Sequence, residues 1–113
     1  EICGVISLKK IDFINRNSEL SCFLDSNITA TNPYILIESQ ALMIQHGFNQ
    51  LGLKKIYQGS FHPSIAPFLI KYLNFEKEGV LKNHIFKNGK FHNCDLIAIF
   101  SDKFKFPNLN QDN

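Results

Sequence analysis

The chain has 113 residues, 44% of them hydrophobic, and its 12 Lys+Arg against 10 Asp+Glu leave a formal net charge of +2. That length fits one domain with a real core, and so small an excess of charge argues against a nucleic-acid partner. Arg16 is the only arginine, which excludes a set of bidentate phosphate clamps, and no apolar run approaches the ~18 residues that span a membrane.

The pattern opens on ICGVISLKKIDFI, β-branched and alternating in its second half, which predicts a strand. The turn Asn15-Arg16-Asn17 and a second strand, ELSCFLDS, complete a hairpin, and residues 26–31 read as a polar loop. Asn32 as N-cap with Pro33 at the first helical position then starts a long helix. Ile37, Ala41, Ile44, Phe48 and Leu51 fall on one face of it, and Gly52 supplies a left-handed stop. KKIYQGSF is a third strand. His62-Pro63-Ser64 breaks it and opens a shorter helix with Ile65, Phe68, Leu69 and Tyr72 on one face. Two more strands run from Phe75 to Ser101, joined at Lys87-Asn88-Gly89-Lys90, where Asn-Gly signals a hairpin. The predicted class is α/β, one mostly antiparallel mixed sheet flanked by helices in the order β-β-α-β-α-β-β. Residues 1–104 form the domain and 105–113 a polar tail.

Cys3, Cys22 and Cys94 lie in apolar, strand-like stretches without metal spacing, which predicts free thiols and a cytoplasmic setting. His46, His84 and His92 show no ligand spacing either, so no metal is expected. The 11 Phe sit in strand and helix interiors, which predicts a core role for them. The chain opens at Glu1 directly on a strand pattern, which suggests a piece of something longer.

The element order, with HGFNQLGLKKI and YLNFEKEGVLKNHIFKNGKFHN, resembles the C-terminal two-thirds of a GNAT-fold N-acetyltransferase. The resemblance points to the branch of ribosomal-protein alanine acetyltransferases and the amino-sugar acetyltransferases of pseudaminic acid synthesis. It rests on Gly47-Phe48-Asn49-Gln50-Leu51-Gly52-Leu53, on Tyr72 to Gly79 with Asn74 where glycine is usual, and on Asn88 to Asn93. It implies acetyl-CoA as acyl donor, in a V-shaped gap between two splayed strands. The donor's pantetheine would run along the strand Ser18–Asp25, with Leu24 or Asp25 offering the oxyanion contact. Its pyrophosphate would rest on the loop from Thr29 to Leu36, which brings in Asn32, Tyr34, Ile35 and Leu36. Here Asn32 and Tyr34 occupy glycine positions of the family loop, and Pro33 removes one N–H from the cradle.

Transfer to an amine needs a proton acceptor, for which the His62 imidazole and, through water, Glu19 are the candidates, with Ser64 beside them as a further catalytic candidate. For Glu19 the plainer alternative is a strand-edge charge, and for Ser64 a helix cap. The family's tyrosine acid falls on Ile70 here, and Tyr72 lies about 200° around the helix from it. The resemblance thus implies an N-acetyltransferase whose acceptor is a primary amine, on an amino sugar nucleotide or a protein N-terminus. The competing expectation is a non-catalytic module with a degenerate phosphate loop. The family's N-terminal strand and helices have no counterpart, so the sheet edge at Glu1–Phe13 predicts either a preceding segment or a homo-oligomer.

Overall fold

A computed structural model of the chain describes residues 4–24, 32, 34–60 and 65–108. The elements are β1 (Gly4–Asp12), β2 (Asn17–Leu24), α1 (Tyr34–Asn49), β3 (Lys55–Ser60), α2 (Ile65–Leu73), β4 (Glu76–Lys87) and β5 (Lys90–Phe100). They form one five-stranded sheet in the order β1-β2-β3-β5-β4, antiparallel throughout except between β2 and β3. Parallel neighbours need a crossover, and α1 supplies it. The predicted class and element order hold.

The local chemistry accounts for the ends of these elements. The Asp12 carboxylate accepts from the backbone N–H groups of Ile14 and Asn15 and closes the turn into β2, bonds that hold its pKa below the usual value. Gly52 takes a positive φ of 69°, and the Leu53 N–H donates to the Gly47 carbonyl at 3.0 Å, which ends α1. Asn74, where the resemblance leads one to expect glycine, sits at φ 64° after α2, a conformation asparagine tolerates. Its amide donates to the Lys103 carbonyl at 3.1 Å. Asn88 and Gly89 both have positive φ, as a two-residue hairpin turn demands.

One buried cluster joins Ile37, Ala41 and Ile44 of α1 and Ala66, Leu69 and Leu73 of α2 to Leu20, Ile56, Ile97 and Ile99 of the sheet. Both helices therefore cover the same sheet face. The expectation for the Phe set needs correcting. Phe75 is buried, but Phe13, Phe23, Phe86, Phe91 and Phe106 are exposed. Phe23 pairs with Val5 on the face away from the helices. Phe86 and Phe91 pair on a ribbon that runs past the rest of the sheet, where no layer lies over them. A strand interior buries a ring only when something covers that face.

Candidate active site

The site begins where β2 and β3 stop pairing. Their parallel ladder covers Asn17–Glu19 against Lys55–Tyr57 and goes no further. Beyond it, the ladders among the described residues take Leu20 to Leu24 to β1 and Gln58 to Ser60 to β5. The two strand edges thus diverge toward their carboxyl ends, the position where open sheets take ligands.

The split holds a cleft of about 220 Å³ lined by Cys22, Leu36, Gln40, Gln58, Gly59, Ser60 and Ile65. Leu36 belongs to the first turn of α1, so the positive end of that helix faces the open end of the split. Across the floor, Gln58 Nε2 donates to Gln40 Oε1 at 2.8 Å. Burial pushes the Cys22 thiol above its ordinary value, and the neighbouring Gln40 side chain partly opposes the rise. Behind β3, a Cβ added at Gly59 would lie 2.8 Å from Cys94 Sγ, so a side chain there would have to displace that thiol.

The sequence-based candidates distribute unevenly around this cleft. Leu24 is the last residue of the diverging β2 edge. Asn32 is exposed, and its carbonyl accepts from the Ile35 N–H at 3.1 Å, closing the turn into α1. Ile35 and Leu36 are half-buried in the first turn. The Tyr34 ring meets Tyr72 edge-on at 5.8 Å, and the neighbouring Tyr72 side chain raises the Tyr34 pKa. Tyr72 also packs on Phe68, so it belongs to an aromatic cluster at the α1–α2 contact and does not line the cleft. Ile70 is exposed on α2.

Glu19 stands at the closed end of the split, opposite Tyr57 in the last ladder pair. Its side chain lies on the face away from the helices and pairs with Lys10 at 3.3 Å. His62, Ser64 and Asp25 lie outside the described residues. Gln40, Gln58 and Cys22 were not among the sequence candidates. The signal was present in Gln40, a polar residue on the apolar stripe of α1 between Ile37 and Ile44, and in Gln58, an inward position of β3.

No group of three or more His, Cys, Asp or Glu among the described residues is disposed to hold a metal ion. No helix among them is long and apolar enough to cross a membrane.

No protein-family model and no curated protein sequence matches the chain. Solved structures do. A probable acetyltransferase superposes with a TM-score of 0.80 at 19% identity, over 92% of this chain and 57% of that one. The spermidine N-acetyltransferase of Vibrio cholerae in complex with CoA and spermine gives 0.76 at 24% identity, over 91% and 60%. A dodecameric structure of that enzyme gives 0.77 at 24%, again over 91% and 60%. These likenesses show the fold, that of the GNAT-type N-acetyltransferases, and the chain spans about three-fifths of the length of each neighbour.

Proposed function

We propose that this chain builds the acyl-donor cleft of an acetyl-CoA-dependent N-acetyltransferase acting on a primary amine. The observation that carries the reading is the parting of β2 and β3 after Glu19 and Tyr57, with the first turn of α1 at its open end. A ligand bearing amides finds a strand edge on each wall, and one bearing phosphate finds a positive helix terminus. The residues fit CoA in that sense. Leu24 and Asp25 would hold the pantetheine, and Asn32, Tyr34, Ile35 and Leu36 the pyrophosphate. CoA would bring an activated acyl thioester, and the chain would orient it and take up the amine's proton. His62 and Ser64 are assigned to that proton transfer. Glu19, paired with Lys10 at the apex, is assigned an orienting charge for the incoming amine.

Neighbours that bind spermine and CoA support an amine acceptor in general. An amino sugar nucleotide or a protein N-terminus is the finer assignment that the sequence branch suggests. A setting in the cytoplasm, where acetyl-CoA is available, fits this reading.

A second reading has its own support. Ile70 replaces the usual acid, and the Tyr34 ring, held by Tyr72, stands where family members present glycine. Both favour a non-catalytic module with the same fold. Calorimetric titration with acetyl-CoA and with dephospho-CoA separates the two. Binding of acetyl-CoA, followed by slowed turnover in His62→Ala with the fold intact, supports the enzyme. A folded chain that binds neither ligand leaves the module.

A further inference from the structure

Apart from the cleft, the most distinctive surface is the far end of the β4–β5 ribbon. Among the described residues β5 joins β3 from Asp95 onward, and the stretch before it has β4 alone as its strand neighbour. Near the tip, Phe86 and Phe91 face each other across the ribbon with ring centroids 5.0 Å apart. They are 64% and 60% exposed, although rings of this size gain from leaving water. The next pair, Lys87 and Lys90, flanks the Asn88-Gly89 turn and lies on the opposite face by strand alternation.

Charge is segregated to the same place. Residues 79–94 contain three lysines, Lys82, Lys87 and Lys90, and no acidic residue. The rest of the chain holds nine basic residues against 10 acidic ones, so the whole positive excess sits on this ribbon. Two bare rings inside a local basic field suit a partner that is both anionic and apolar.

The shape of the ribbon selects among such partners. A stable protein interface engages about 20–30 residues a side, far more than a two-stranded tip presents. Strand addition along the β4 edge is opposed by two register shifts, between Lys77 and Gly79 and between Leu81 and Ile85. At the second, Asn83 sits at φ 50° and its N–H donates to Asn93 Oδ1 at 3.0 Å, which fixes the irregularity. A single nucleic-acid strand needs a groove and open ring faces, whereas these rings are engaged edge to face. A bilayer surface needs no matching pocket. Rings enter the boundary of headgroups and acyl chains, and long lysine stems carry their ammonium groups round to the phosphates.

We propose that the β4–β5 tip docks the chain on an anionic lipid surface. Phe86 and Phe91 insert, and Lys82, Lys87 and Lys90 supply the attraction. This is peripheral attachment, and it stands independently of the acyl-donor reading above.

The test is co-sedimentation of the full chain with vesicles of phosphatidylcholine, alone or with about a third phosphatidylserine. The anionic vesicles bind at least about tenfold more tightly than the neutral ones, and salt weakens the binding. Phe86→Ser/Phe91→Ser and Lys87→Gln/Lys90→Gln each weaken it at least about tenfold. Because the chain has no tryptophan, Phe91→Trp is a clean reporter, and its emission shifts to the blue on the anionic vesicles. No binding to anionic vesicles, equal binding to neutral ones, or unchanged binding in the serine variant overturns the proposal. So does an acidic polypeptide or a single-stranded oligonucleotide that the tip binds more tightly than the vesicles. All four substituted positions are exposed, and unchanged urea midpoints show that the variants fold.

Discussion

Cys22 shows how one side chain reports on the whole cleft. Its thiol is raised above the ordinary value of 9.0, chiefly because burial disfavours the thiolate. A folded pKa above the unfolded one favours the folded chain at pH values below 9.0, and that contribution is lost as pH climbs through the folded value. Alkylation follows the thiolate fraction. Iodoacetamide at pH 8.5 is therefore expected to modify Cys22 several-fold more slowly than a free cysteine, with the difference abolished in urea. Saturating acetyl-CoA should slow it further, since Cys22 lines the cleft. Site-resolved mass spectrometry checks both, and a rate equal to that of free cysteine would contradict the burial seen here.

Among the elements, α1 carries the clearest conflict between propensity and packing. Gly47 is a poor helix residue, about 1 kcal/mol worse than alanine. Yet a Cβ there would lie 2.9 Å from Ile56 Cδ1 and 3.1 Å from Leu8 Cδ1. Overpacking of this kind costs about 1–3 kcal/mol, so it outweighs the gain in propensity. Gly47→Ala should lower stability by about 1 kcal/mol in urea titrations, and adding Ile56→Val, which removes the clashing methyl, should recover part of the loss. Much of this element was legible in the sequence, because the apolar stripe and the Gly52 stop are local signals. Gln40 was not read as part of a site, since its partner Gln58 is 18 residues away and belongs to another element. The end of the β2–β3 ladder was equally hidden, because where two strands part depends on α1 and β5 as much as on their own residues.

For the molecule as a whole, the sheet face away from the helices and the β1 edge are the open features. Val5 and Phe23 are 61% and 75% exposed as a cross-strand pair, and Phe13 and Ile14 are exposed at the turn at the other end of the hairpin. Such a patch on an edge strand favours association with another chain. Sedimentation velocity should show self-association that grows with concentration and declines in Val5→Lys/Phe23→Lys; a strictly monomeric parent would count against it. The sequence reading placed those rings in a core because alternation tells which residues share a face, not whether that face is covered. The ladder of three residue pairs between β2 and β3 has one more consequence. It leaves the sheet with a seam: β1 and β2 on one side, β3, β5 and β4 on the other, stitched by fewer bonds than any other junction in the sheet. Under tension applied across the strands, the molecule would tear there first, and the β1–β2 hairpin would peel away while the other three strands held.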